Sequence, residues 1–182
     1  MPVDGTFVAR IGDAMQIQFN DEYGSHSMLA QHHRLIHAAC EVLHECAHSD
    51  DLRYINARYS DLEQKILSHL EYQEHIVLHR YALSVPQSAA IIQAANNQLR
   101  QLLFETGLDT QLHYIRADSL NTLAALLRGQ LSHRVRNMFA WAQHRLPDYL
   151  QRTFVLHTTR CLDGLTHARR RTFPDHSAVD VG

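Results

Sequence analysis

The chain has 182 residues, of which 45% are hydrophobic and 20% are charged, a balance typical of one compact domain with a sizeable core. Its 17 basic and 19 acidic residues nearly cancel, which argues against a nucleic-acid-binding protein or one that binds an anionic membrane surface. Neither an apolar run of membrane-spanning length nor a leader segment is recognisable, so we expect a cytoplasmic protein with no membrane partner.

The spacing of apolar residues predicts an all-α protein. Only 7 glycines and 4 prolines interrupt the chain, and the segments between them repeat apolar residues every three to four positions. We predict helices at about 24 to 48, 54 to 83, 87 to 106, 116 to 145 and 147 to 168. These helices form one domain, residues 24–168, between an N-terminal arm (residues 1–23) and a flexible tail (residues 169–182).

Polar residues fall on the apolar faces of the first two predicted helices. At 100° per residue, His32 lies near the centre of the apolar face of the first helix. In the second helix, His69 and Gln73 lie one turn apart on the corresponding face. Because buried polar side chains need hydrogen-bonding partners, these three residues predict a polar cluster inside the protein.

A tripeptide, Leu-Ser-His, occurs twice in the chain, and an offset of 64 positions (69 to 133) separates the two copies. The same offset pairs polar residues of the first half with polar residues of the second: His32 with Asn96, His69 with His133, and Gln73 with Asn137. The pattern predicts a duplicated helical hairpin. Two such hairpins make an antiparallel four-helix bundle, to which the last predicted helix is added.

This arrangement resembles the hemerythrin-like (HHE cation-binding) domain family. The strings AQHHRLIHAA and ANNQLRQLL are similar to the first-helix and third-helix segments of that family. The strings LSHLEYQEHIVLHRY and LSHRVRNMFAWAQHRLP are similar to its histidine-carboxylate segments. The resemblance covers about residues 25 to 147. It implies a four-helix bundle around a non-haem di-iron centre, in proteins that sense or carry oxygen, respond to nitric oxide or iron, or repair oxidative damage.

The resemblance also implies which residues correspond to the metal ligands. The six ligand-equivalent positions hold, in this chain, three histidines and three amides: His32, His69, His133, Asn96, Gln73 and Asn137. The amides stand where the family has its third-helix histidine and its two bridging glutamates. Because a pair of iron ions needs anionic oxygen ligands, we expect a degenerate site. Glu71 and Glu74 point away from the face of His69, and only a bulge in the helix would bring either of them inward.

We therefore predict a hemerythrin-like, non-enzymatic binding or regulatory protein, with either no metal or a bound Fe or Zn. A nucleophile motif and a glycine-rich phosphate loop are both missing from the sequence, so nothing positive indicates an enzyme. One alternative keeps a mononuclear zinc or iron ion, or an atypical iron site, on the three histidines. Such a protein would sense or handle oxygen, nitric oxide or iron.

A second alternative concerns the histidines on the flank of the first helix. There are 15 histidines in the chain, and four of them share one flank of this helix: His26, His33, His37 and His44. Imidazole titrates near neutral pH, so this flank could form a pH-sensitive contact in a homodimer. Their spacing also suits a divalent ion, although exposed histidines at helical intervals are more often simply solvated.

Overall fold

The computed structural model describes residues 27–112, 114 and 117–172, and within these ranges the chain is helical without any β-strand, which confirms the all-α prediction. The helices are α1 (Met28–Ala47), α2 (Leu52–Gln73), α3 (His79–Ala82), α4 (Pro86–Gln111), α5 (Ala117–Gly129), α6 (His133–Arg145) and α7 (Asp148–Thr172). Within the same ranges no helix is both long enough and apolar enough to cross a membrane. The predicted arm lies outside the described residues, as do residues 173–182 of the predicted tail, whereas α7 continues to Thr172.

The helices begin where the sequence supplies residues that cap or initiate a helix. The Ser27 hydroxyl accepts a hydrogen bond from the backbone N–H of Ala30 at 3.1 Å, at the start of α1. Asp51 caps α2 by accepting from two backbone N–H groups of its first turn. Pro86 occupies the first position of α4, where its missing N–H is not needed.

The second predicted helix is continuous, but its hydrogen-bonding register changes partway along. A π-helical segment, Glu74–Leu78, joins α2 to α3 without a break. A π-helical turn holds more residues per turn than an α-helical one, so it rotates the side chains that follow relative to those before. This segment begins directly after Gln73, so it changes the direction of the side chains that follow Glu74 and leaves Glu71 and Gln73 in the α-helical register of His69.

The prediction of one helix over residues 116 to 145 is wrong. α5 ends at Gly129, and Ser132, with φ −62° and ψ 158°, is extended and begins α6. A tight turn carries the chain between them, with backbone hydrogen bonds from Gln130 to Leu127 and from Leu131 to Arg128. The interruption matters for the site because it changes which residues of this segment face the interior.

The helices pack so that α1 lies against α2, α5 and α7, while α2 also contacts α4 and α7, and α4 contacts α5. The buried apolar side chains form two clusters. One contains Leu35, Leu62 and Leu99, and the other contains Phe139 and Phe154. His32 and Asn96, two of the polar residues predicted to face inward, lie where one apolar cluster gives way to the other.

Candidate functional site: a buried histidine and amide layer

A polar layer separates the two apolar clusters along the helices. On α1, His32 stands between Met28 of one cluster and Leu35 of the other. On α4, Asn96 stands in the same way between Ile92 and Leu99. The layer consists of five buried polar residues. His32, His69, Gln73 and Asn96 are 0% exposed, and Gln130 is 2% exposed. His32, rather than its half-buried neighbour His33, thus faces the interior.

His32 and His69 are hydrogen-bonded directly to each other. Nδ1 of His32 lies 2.9 Å from Nε2 of His69, and the two ring centroids are 5.2 Å apart. Phe139 packs against the His32 ring, with the ring centroids 4.9 Å apart. Phe154 lies against the His69 ring with an edge-on geometry and centroids 5.6 Å apart. The pair is therefore enclosed by aromatic rings rather than by carboxylates.

The proton positions on the two rings follow from their partners. Nε2 of His32 lies 3.0 Å from the carbonyl oxygen of Gln130, which can only accept, so His32 carries its proton on Nε2. Burial lowers the pKa of His32 to about 4 and lowers the pKa of His69 well below its usual value, so both rings are neutral near pH 7. Nδ1 of His32 then accepts the Nε2 proton of His69. Three of the four ring nitrogens are engaged by this chain.

The fourth ring nitrogen has only a weak partner. Nδ1 of His69 lies 3.4 Å from the hydroxyl oxygen of Thr158 on α7. That hydroxyl donates to the carbonyl oxygen of Phe154 at 2.9 Å, which leaves it a poor donor to the ring. Thr158, which is itself fully buried, was not among the site residues indicated by the sequence. Threonines commonly bond to the carbonyl four residues back in a helix, so no sequence signal sets this one apart.

The turn between α5 and α6 supplies the carbonyl that holds His32. In an uninterrupted helix, the carbonyl of Gln130 would accept the N–H of the residue four positions later. Because α5 ends at Gly129, this carbonyl is free to accept the Nε2 proton of His32. The contribution of Gln130 comes partly from its backbone, and a pattern of side chains cannot reveal it.

Amide side chains extend the layer from the histidine pair to the surface. The Gln130 side chain donates from Nε2 to Oδ1 of Asn96 at 3.1 Å. Asn96 in turn donates from Nδ2 to Oε1 of Glu74 at 2.9 Å. Arg100 closes the chain with two hydrogen bonds to the Glu74 carboxylate, at 2.9 and 2.7 Å. A continuous polar path thus runs from the partly exposed ion pair of Arg100 and Glu74 to the buried rings.

Glu74, which was predicted to point away from the face of His69, directs its carboxylate towards α4. Glu74 is the first residue of the π-helical segment, and its carboxylate reaches the buried amide of Asn96. Burial raises the pKa of this carboxyl, but the hydrogen bonds from Arg100 and Asn96 outweigh that effect and lower the pKa overall. Glu74 therefore stays ionised and acts as the acceptor that orients Asn96.

The placement of His133 and Asn137 in the interior is wrong. Both residues are exposed on the first turns of α6, and Nδ2 of Asn137 lies 3.1 Å from Nε2 of His133. The turn over residues 130–132 interrupts the helix just before His133, so the offset of 64 positions no longer relates equivalent faces. The structure therefore brings together His32, His69 and Asn96, with Gln73 on the same helix face, and leaves the other two outside.

The side chains present do not fit a di-iron centre. Three of the four nitrogens of the histidine pair are already hydrogen-bonded within the protein, and the third predicted histidine lies on the surface. Within residues 27–112, 114 and 117–172, no three His, Cys, Asp or Glu side chains are placed so that they could hold a metal ion. The flank histidines His33, His37 and His44 are among these residues and form no such group either. His26 lies outside the described residues.

Gln73 is the least satisfied member of the layer. It is fully buried, yet neither its amide oxygen nor its amide nitrogen has a hydrogen-bond partner within the described part of the chain. A buried amide without partners costs about 1 to 3 kcal/mol. The position that the resemblance equates with a bridging glutamate therefore holds a group that does not contribute to the hydrogen-bonded network.

Comparison with protein-family models, with curated proteins and with solved structures gives no match for this chain.

Proposed function

We propose that the chain is a hemerythrin-like four-helix bundle whose metal site is degenerate, and that it acts as a non-enzymatic binding or regulatory protein. In this proposal the hydrogen-bonded polar layer replaces the di-iron centre. The observation that carries the proposal is the direct hydrogen bond of 2.9 Å between His32 and His69. Two imidazoles that satisfy each other do not need a metal ion to be stable in the interior.

The packing of the helices supports the bundle part of the proposal. α1 contacts α2, α2 contacts α4, α4 contacts α5, and α5 contacts α1, so that each of these four helices has two neighbours in a closed order. That order is the one expected of a four-helix bundle. α7 packs against both α1 and α2, where the sequence predicted one additional C-terminal helix.

The chemistry of the layer supports the absence of a carboxylate-bridged metal pair. Among the described residues, Glu74 is the only carboxylate bonded to the layer, and it already receives hydrogen bonds from Arg100, Asn96 and Gln93. A ligand carboxylate would have to give up these partners, including a guanidinium charge. The layer is thus better suited to fixing the relative positions of the helices than to binding a cation.

Metal analysis of protein purified without a histidine tag tests the proposal. We expect substoichiometric iron and zinc after purification, and no saturable binding when Fe²⁺ is added without oxygen or when Zn²⁺ is titrated by calorimetry. His133→Ala serves as the matched control, because His133 is exposed and outside the layer. One equivalent of iron or zinc that is lost in His69→Ala would contradict the proposal and would favour the mononuclear alternative.

A further inference from the structure

α4 leaves one long face uncovered in the described part of the chain. Its buried side chains, which include Ile92, Leu99 and Leu103, lie on the face towards α2 and α5. On the opposite face, residues recur at alternating intervals of four and three positions, and all are exposed: Gln87, Ile91, Ala94, Gln98, Gln101, Glu105, Leu108 and Leu112. Intervals of this kind define the seam along which two helices pack in a coiled coil.

The seam is poor in charge and carries large apolar side chains at both ends. Ile91 and Leu108 are each 43% exposed, and Leu112 at the C-cap is 72% exposed. The only charged member is Glu105, whose carboxylate accepts a hydrogen bond from the Gln101 amide at 2.9 Å. A surface helix normally presents charged residues to water, so this face has the composition of a helix that meets another helix.

We propose that the seam of α4 is a homodimer interface, in which α4 packs antiparallel against α4 of a second copy around a two-fold axis between Gln98 and Gln101. In this register Ile91 faces Leu108 of the second copy, and the contact is repeated by symmetry. Ala94 faces Glu105, and Gln98 faces Gln101 with both amides able to exchange hydrogen bonds. One surface thus meets itself, as a two-fold interface requires.

The charge pattern selects the antiparallel arrangement. A parallel pair in register would place Glu105 directly against Glu105 of the second copy, and like charges at a seam are unfavourable. In the antiparallel pair the small side chain of Ala94 stands opposite Glu105 and leaves its carboxylate access to water. Glu105, the sole charged residue of the seam, is therefore compatible with the antiparallel orientation and unfavourable in the parallel one.

The length of the seam is sufficient for a weak but specific dimer. α4 has 26 residues, which corresponds to about 39 Å of helix. Packing along this length, with Phe104 at the flank, would bury on the order of 1,200 Å² in total, at the lower end of specific interfaces. Because the central positions are glutamines, we expect a dissociation constant on the order of micromolar. The seam contains no residue of the polar layer. The dimer and the metal-free layer can therefore be tested independently of each other.

Sedimentation equilibrium of the full chain across the micromolar concentration range tests the interface. We expect the average mass to rise with concentration from that of the 20.9 kDa chain towards twice that value. Ile91→Lys and Leu108→Glu should each weaken the dimer at least tenfold. The double variant should regain most of the affinity, because each new lysine then faces a new glutamate across the two-fold axis.

A matched control is Leu156→Glu, which introduces the same charge at a 53% exposed leucine of α7 and should leave the dimer unchanged. A monomer at all concentrations would overturn the proposal. So would a dimer that neither single variant weakens. Loss of the dimer in both single variants without recovery in the double variant would overturn the antiparallel register.

Discussion

His32→Ala is expected to lower the free energy of unfolding by about 3 to 5 kcal/mol. The substitution removes a fully buried ring that packs against Phe139, and thereby leaves a cavity. It also deprives the Nε2 proton of His69 and the carbonyl oxygen of Gln130 of their partner. His69→Ala should cost a similar amount, and the double variant should lose less than the two single losses together. Urea unfolding followed by circular dichroism measures each value.

Two control variants test whether the loss in unfolding free energy is specific to the buried layer and does not follow from removing any histidine. His133→Ala removes an exposed imidazole, and we expect a change within about 0.5 kcal/mol. Gln73→Leu replaces a buried amide that lacks partners among the described residues, and it should leave stability unchanged or raise it. Equal losses in His32→Ala and His133→Ala would contradict the assigned roles of the two histidines.

Stability should fall as the pH is lowered from 7 towards 5. Burial lowers the pKa of His32 from 6.5 to about 4, and the pKa of His69 is lowered for the same reason. Each histidine thus has a lower pKa in the folded chain than in the unfolded chain. At a pH between these two values, the unfolded chain binds a proton at the site and the folded chain does not. The stabilisation is complete above about pH 6.5 and is lost as the pH falls towards 4. For His32 alone the full loss corresponds to about 3 kcal/mol.

Unfolding free energies at pH 7.5, 6.5, 5.5 and 5.0 measure this dependence. Each of the two buried histidines contributes a slope of up to about 1.4 kcal/mol per pH unit within the range. The pKa values of His33, beside His32, and of His157, near His69, are also lowered by burial, so they add in the same direction. Replacing both histidines of the pair by leucine should flatten the curve. Constant stability from pH 7.5 to 5.5 would contradict a buried neutral pair.

Periodicity predicted the inward positions correctly where the helices are uninterrupted. His32, His69 and Asn96 each lie within a continuous helix, and for all three the 100° rotation per residue identified the buried face. The same reasoning failed for His133 and Asn137, because the turn at residues 130–132 resets the rotation of the chain. Gly129 and Ser132 are common helix-ending and helix-capping residues, so this break had a signal in the sequence.

Two features of the site had no comparable signal. The π-helical segment Glu74–Leu78 contains no glycine or proline to mark a change of register, and no sequence pattern pairs Glu74 with Asn96 and Arg100. The acceptor for His32 is a backbone carbonyl, which every residue possesses. Both features depend on tertiary packing, and local periodicity therefore could not predict them.

The hydrogen bond between His69 and His32 can be observed directly in the ¹⁵N nuclear magnetic resonance spectrum of the imidazole rings. At pH 7.5 we predict that both rings are neutral with the proton on Nε2. We also predict a scalar coupling across the hydrogen bond between Nε2 of His69 and Nδ1 of His32, unchanged when Fe²⁺ or Zn²⁺ is added. Loss of this coupling on addition of either metal, with matching shifts of both rings, would contradict the account.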